Sequence, residues 1–386
     1  MSPRLLSDHQ TGADQLVLPA YSSSSLSDLT PAIGAHLGVP GCTDDPLWLP
    51  DAQRYVVVLV DGLGFHLVRR AARDAPYFAS LLADAGPITS GVPSTTATSL
   101  ASLGTGLPPG QHGLVGYTSR VPGTDEILNA LTWESTLSAR DYQPKWTFFE
   151  RARAAGVSVT SVGLKRFEGS GLTEAALRGA DFSSFDDEQS EERRTELVVA
   201  AATRGDRSLV YVYERRLDHT GHAHGSQSER WRADLGRIDA MCERLRDALP
   251  DDVRVLITGD HGMVDVPRTA QILAEDEPQL MAGVSALAGE GRFRHVYVDA
   301  DEPSQVARRW GERLGERAWV RTRDEAIDDG WFGLVDDGLR ERFGHVLVAM
   351  REHYAVMTSQ YPRELQLVGM HGSLTAAEML VPLFRD

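Results

Sequence analysis

Cysteine and lysine are almost missing from this chain. Its two cysteines, Cys42 and Cys242, cannot build a disulfide framework. The fold must therefore rest on an apolar core, and a reducing compartment is the expectation. Only Lys145 and Lys165 are lysines; with the arginines they make 39 basic residues against 55 acidic ones, a formal net charge of −16. A polyanion needs a basic surface, so no nucleic-acid polymer is expected as a partner. Long apolar runs are missing too: none approaches the ~18–20 residues of a membrane span. The opening stretch "MSPRLLSDHQTGADQ" lacks the apolar core of a signal peptide. No membrane partner and a cytoplasmic location are the resulting expectations. Nothing in the sequence speaks to the oligomeric state.

What is present is ample apolar material, 42% of 386 residues, enough for one large domain or two ordinary ones. Residues 1–50 are mixed and loop-rich, with a polar Ser run at 22–25. Then "YVVVLVDG" (55–62) is continuously apolar and β-branched. That pattern predicts a strand buried on both faces, as in a parallel sheet covered by helices. It recurs at "VSVTSVG" (157–163), "SLVYVY" (208–213) and "VRVLITGD" (253–260), with helix-like segments at 145–155 and 227–249 between. Strands alternating with helices predict an α/β fold with a mostly parallel sheet and helices on both faces. From about 265 to 345 the texture changes. A strand at 293–300, a helix at 303–315 and a strand entering a helix at 317–327 suggest a small α/β insert or lid within a single domain spanning 1–386. The chain then returns with "GHVLVAM" (344–350).

Three of the four core strands are followed by potential metal ligands. Asp61 ends the first. Asp218 and His222 follow the third in "ERRLDHTGHAHG". Asp260 and His261 end the fourth in "GDHG". In open α/β sheets, sites form beyond the carboxyl ends of the strands, so residues far apart in sequence can converge there. Singly, each has an ordinary explanation. Asp-Gly after a strand is commonly a turn, a lone Asp-x-x-x-His arises by chance, and His371 in "GMHGS" reads as a loop histidine. His9, His36, His66, His295, His345 and His353 take the structural reading, while His219 and His224 stay undecided. Together, three Asp and three His form a ligand set that suits two zinc-like cations, each keeping an open position. Two divalent cations against three carboxylates would leave a net positive site, attractive to phosphate.

These residues belong to a larger pattern. The chain resembles the nucleotide pyrophosphatase/phosphodiesterase branch of the alkaline phosphatase superfamily. The resemblance runs through "VVVLVDGLG" (56–64), "PSTTATSLASLGTGLPPGQHGLVG" (93–116), "QPKWTFFERARAAGV" (143–157), "LDHTGHAHG" (217–225), "ITGDHGMVD" (257–265) and "GMHGSLTAAEM" (369–379). It implies an alkaline-phosphatase-like core and two divalent metal ions, zinc first and manganese as the alternative. It also implies a nucleophilic Thr three residues after a Pro, which is Thr96 after Pro93; Thr95 is the neighbouring candidate. Ser94, Thr98 and Ser99 are expected to shape the turn and cap the following helix. One metal would be held by Asp61, Asp260, His261 and the Thr96 oxygen, the other by Asp218, His222 and His371. A threonine hydroxyl is a weak nucleophile near neutrality, and a metal that lowers its pKa corrects that.

The resemblance further implies cleavage of phosphodiester or nucleotide pyrophosphate bonds through a phosphothreonine, with a small phosphate ester as substrate. The sequence departs from the pattern where the family carries an Asn that contacts a phosphoryl oxygen; here the position is Tyr117. Its phenol can donate one hydrogen bond, so Tyr117 is the expected substrate contact. Arg120, Lys165 and Arg166 are the cations that folding could bring to the site. A phosphomonoesterase or phosphonate hydrolase on the same scaffold, or a catalytically silent metal-binding relative, are the rival readings.

Overall fold

The computed structural model describes residues 12–188, 190–299 and 302–386; His9 lies outside them. A seven-stranded sheet forms the centre. Its order across the sheet is Pro87–Thr89, Leu380–Arg385, Val253–Gly259, Arg54–Val60, Ser208–Glu214, Ser158–Leu164 and Asp181–Phe185. The last five run parallel to one another, and Leu380–Arg385 is antiparallel to both its neighbours. All four strands expected from the apolar runs are present, adjacent, and within a residue or two of the expected bounds.

The reason those runs are continuous is visible in the packing. Tyr55, Val57 and Leu59 point to one face, among residues of the helices Leu26–His36, Thr96–Thr105 and Phe148–Ala154. Val56, Val58 and Val60 point to the other, against Trp231, Leu235 and Ile238 of the helix Glu229–Ala248. A strand alternates its side chains, so only a strand covered on both sides needs an apolar residue at every position. Each fully buried side chain of this size contributes roughly 1.5–3 kcal/mol of transfer free energy. Helix Glu229–Ala248 starts where the Ser228 hydroxyl accepts the Trp231 N–H at 3.1 Å. It buries Trp231, Leu235, Ile238, Cys242 and Leu245, a stripe at helical spacing. Cys42 and Cys242 are both free thiols.

Two features differ from the sequence reading. Residues 26–36 form a helix inside the stretch read as loop-rich, and its N-terminus is fixed by the Asp28 carboxylate accepting the Ser25 N–H at 2.9 Å. The second concerns the changed texture after 265. A four-stranded antiparallel sheet stands there, in the order Val284–Glu290, Phe293–Val298, Val346–Met350, Ala318–Thr322. The strand at 346–350, read as the return to the main sheet, is instead an inner strand of this small sheet. The helix Pro303–Leu314 covers the small sheet with Val306, Trp310 and Leu314. Among the described residues, no helix is long and apolar enough to cross a membrane.

Candidate active site

The parallel strands deliver their ligands to one end of the sheet. Asp61 directly follows Arg54–Val60, and Asp260 and His261 directly follow the adjacent Val253–Gly259. Asp218 and His222 sit on the helix Arg216–His224, which follows Ser208–Glu214 on the other side. His371 comes from the loop after Gly369–Met370. The Asp-Gly at 61–62 is indeed a turn, with Gly62 at φ +76°, and it is also something more. A Cβ at Gly62 would stand 3.1 Å from the Asp218 backbone, and the Gly62 N–H donates to Asp260 Oδ1 at 2.9 Å. Only glycine lets these three acidic positions converge.

One ligand atom each from Asp61, Asp260 and His261 lie within 4.8 Å of one another, and so do those from Asp218, His261 and His371. His261 Nε2 is 3.4 Å from Asp61 Oδ1 and 3.5 Å from Asp260 Oδ2. His222 Nε2 is 3.2 Å from Asp218 Oδ2, and His371 Nε2 is 3.9 Å from Asp218 Oδ1. All six expected ligand residues are thus brought together, with His261 shared between the two groupings.

Three observations fit this donor set to metal cations. The Nδ1 of His222, His261 and His371 each face a backbone carbonyl, those of Gly369, Gly262 and Ser94, at 2.7, 2.8 and 3.0 Å. A carbonyl only accepts, so each Nδ1 carries the proton and each Nε2 presents a lone pair to the cluster. Among the described residues, Asp218 Oδ1 and Asp260 Oδ2 are buried without a hydrogen-bond partner. Burial, with the charges of Asp260 and Asp218, raises the Asp61 carboxyl well above its ordinary range. Burial, with His261 and His222 alongside, holds His371 well below the usual imidazole range. Without a cation the site crowds three acids and keeps His371 neutral.

Thr96 is the first residue of the helix Thr96–Thr105, with Thr95 as the extended N-cap residue. Thr96 Oγ1 lies 3.2 Å from His261 Nε2 and 3.4 Å from Asp61 Oδ1. A helix start also leaves backbone N–H groups free for an anion. Its neighbours do a different job from the one expected. The Thr95 side chain makes no capping bond. The Ser94 hydroxyl donates to the Ser373 carbonyl at 2.7 Å, and the Ser99 hydroxyl donates to the Asp260 carbonyl at 2.8 Å. These hydroxyls tie the Thr96 turn to the two ligand loops. Thr98 Oγ1 is buried without a hydrogen-bond partner among the described residues.

A cavity of about 760 Å³ opens on Asp61, Thr96, Asp218, His222 and His371. Leu131, Leu172, Leu177 and Phe182 give it an apolar wall, and Arg166, Arg215 and Arg363 also line it. Arg166 and Arg215 share Glu188, at 2.9 and 2.7 Å. Arg120 pairs with Asp125 instead, and Lys165 lines a separate groove. His219 is on the cavity wall, and exposed His224 meets Arg230. His36, His295 and His353 make structural hydrogen bonds, as read.

Tyr117 lines the cavity, but its hydroxyl proton goes to Glu364 Oε1. The donation expected toward a phosphoryl oxygen is therefore not the bond that this phenol makes; a phenol has one proton, and Glu364 takes it. Glu364 in turn pairs with buried Arg294. Two residues were missed in the sequence. The Tyr213 hydroxyl donates to Asp61 Oδ2, and Glu290 lies on the cavity wall. Tyr213 could have been suspected, since it lies at the carboxyl end of a core strand; Glu290 has no such signal.

The family described as type I phosphodiesterase / nucleotide pyrophosphatase matches residues 55–374. The rat ectonucleotide pyrophosphatase/phosphodiesterase family member 7 is 29% identical over 114 residues, 28% of this chain and 26% of that protein. Its human counterpart is 35% identical over 83 residues, 20% of this chain and 18% of that protein. The aligned segments thus span about a quarter or less of these relatives. Among solved structures, murine ectonucleotide pyrophosphatase / phosphodiesterase 5 superposes with a TM-score of 0.68 at 16% identity, covering 86% of this chain and 87% of that one. Phosphonoacetate hydrolase from Sinorhizobium meliloti 1021, in complex with phosphonoformate, superposes at 0.66 with 19% identity, covering 87% and 91%. With the matched region spanning most of its length, this chain belongs to the type I phosphodiesterase / nucleotide pyrophosphatase family and carries an alkaline-phosphatase-like α/β fold.

Proposed function

We propose that this protein hydrolyses phosphodiester or nucleotide pyrophosphate bonds, using two divalent metal ions and a covalent phosphothreonine at Thr96. The observation that carries the reading is Thr96 Oγ1 at a helix start, 3.2 Å from His261 Nε2 and 3.4 Å from Asp61 Oδ1. Asp61, Asp260, His261 and the Thr96 oxygen would hold one ion, and Asp218, His222 and His371 the other. Three imidazoles favour zinc, with manganese the alternative for a mixed Asp/His site. Bound ions supply the positive charge that offsets the carboxylates and the developing charge on phosphoryl oxygens.

Thr96 Oγ1 attacks phosphorus, a P–O bond to one alcohol or phosphate breaks, and that leaving group departs with a proton. The free N–H groups of the helix start hold phosphoryl oxygens. Water then breaks the bond between phosphorus and Thr96 Oγ1, and the threonine is restored. Two in-line displacements give net retention at phosphorus. A small phosphate ester fits the cavity, whose apolar wall suits an uncharged group on one side of the phosphorus.

The test is kcat/KM on 4-nitrophenyl phosphate and bis(4-nitrophenyl) phosphate, with protein reconstituted in zinc or manganese. A diester carries one charge and a monoester about two near neutrality, and the monoester needs more fixed cations. Arg166 and Arg215 are already shared with Glu188, which leaves Arg363 as the further cation on the wall; with one such cation the diester should be the better substrate. A tenfold or larger preference for the monoester would overturn the diesterase assignment.

A further inference from the structure

Glu290 is a carboxylic acid with one oxygen in use and one idle. It ends the strand Val284–Glu290, which the hairpin of the small sheet carries to the catalytic cavity. Its side chain is more than nine-tenths buried. Oε1 accepts the Tyr117 N–H at 2.9 Å, while Oε2 is buried without a hydrogen-bond partner among the described residues. Leaving a buried polar oxygen unsatisfied costs about 1–3 kcal/mol. The carboxyl also faces the Thr95 side chain, one residue before Thr96. Gly372, beside His371, packs close to its Cβ.

We propose that Glu290 is a substrate-binding residue whose idle carboxyl oxygen, as the protonated acid, donates a hydrogen bond to a phosphoryl oxygen of the ester. This rests on the phosphoryl-transfer reading above. A phosphoryl oxygen only accepts, so the contact requires the acid form, and an anionic ester beside Glu290 favours that form. The neighbourhood agrees. Burial is the main cause that pushes the carboxyl up to about 7, and the negative Glu364 acts in the same direction; the Tyr117 N–H, the Thr95 hydroxyl and Arg294 pull the other way. Glu364, Arg294 and the Tyr117 phenol are the charged and titratable groups facing it. The first two are paired with each other, and the phenol donates its hydrogen bond to Glu364. Glu290 alone among these groups has an unused hydrogen-bonding atom in the cavity wall. The arrangement makes the Tyr117 backbone, rather than its hydroxyl, part of the substrate machinery.

The isostere separates the possibilities. In Glu290→Gln, the amide oxygen keeps the Tyr117 N–H, and the NH2 group takes the idle position as a permanent donor. Wild type, Glu290→Gln and Glu290→Ala are compared on bis(4-nitrophenyl) phosphate across neutral pH, with metal content measured for each. Glu290→Ala should lower kcat/KM about 100-fold. Glu290→Gln should lose less than tenfold and should not share the fall in wild-type activity as pH rises and the acid ionises. The proposal is overturned if Glu290→Gln is as impaired as Glu290→Ala, which marks an acceptor or a packing role, or if Glu290→Ala matches wild type. Binding of orthovanadate, a phosphate mimic, to the metal-loaded proteins is the second readout: about tenfold weaker for Glu290→Ala and unchanged for Glu290→Gln. If wild type turns over no ester, the proposed function fails, and the vanadate comparison still decides Glu290. If Glu290→Ala does not fold, the alkaline limb of Glu290→Gln against wild type decides it.

Discussion

Removing the metals should cost this protein measurable stability, and the amount follows from the cluster. Asp61, Asp218 and Asp260 converge with side chains 5%, 13% and 0% exposed. Ions that bind only the folded chain add about 2.7 kcal/mol per site at a hundredfold excess over Kd, or about 5 kcal/mol for two independent sites. With 386 residues, the unfolding entropy is about 0.8 kcal/mol/K, so Tm should rise by about 6 °C. The pH dependence of the metal-free protein has a definite sign. Asp61 has a raised folded pKa, so its contribution is present in acid and is lost as pH climbs from the ordinary carboxylate range through the raised value. His371 has a lowered folded pKa, so the metal-free fold also loses stability as pH falls below the ordinary imidazole range. Bound metal should offset the first loss, because it favours ionised Asp61. Scanning calorimetry on chelated and reconstituted protein over this pH range measures both effects. Replacing Asp61 with Asn should leave the metal-free Tm unchanged or higher and abolish about half of the metal-induced rise, the share of the one site that Asp61 serves. A Tm indifferent to chelation and to added zinc or manganese would refute the reasoning, and saturation at one equivalent would refute two sites.

Other expectations are sharper in their residues. Thr96→Ala should lose about four orders of magnitude in turnover, whereas Thr95→Ala should lose about tenfold or less, in steady-state assays on the diester. The reverse ranking would move the nucleophile by one position. Tyr213→Phe removes the donor to Asp61 Oδ2 and should weaken metal affinity by about 10- to 100-fold. Competition against a chromophoric chelator measures it, and an unchanged affinity would show that Tyr213 does not orient Asp61.

Much of this architecture was legible because the central strands carry apolar residues at every position, a pattern that one-sided burial does not produce. The same signal misplaced residues 346–350: an apolar run reports burial on both faces, but not which sheet supplies the neighbours. The helix at 26–36 was hidden because its start, Ser25 with Asp28, lies in a Ser run that reads as loop. At the site, Asp61, Asp218, Asp260 and His261 could be found because they sit at or just beyond strand ends, where the topology forces convergence. His371, in a loop after a two-residue strand, stood out only as part of the six-residue ligand set. Glu290 was invisible, since a glutamate ending an edge strand of the small sheet looks solvated until the hairpin turns it into the cavity. The paired fates of Tyr117 and Glu364 are likewise a long-range contact that no local spacing encodes.

The covalent intermediate is the most direct test of the whole account. Metal-loaded protein is mixed with a radiolabelled phosphodiester, quenched in acid within the first turnover, and digested for peptide mapping. The account predicts label on the peptide containing Thr96, located at Thr96 by fragmentation and absent from Thr96→Ala. An active enzyme that shows no covalent label and inverts configuration at phosphorus would contradict it.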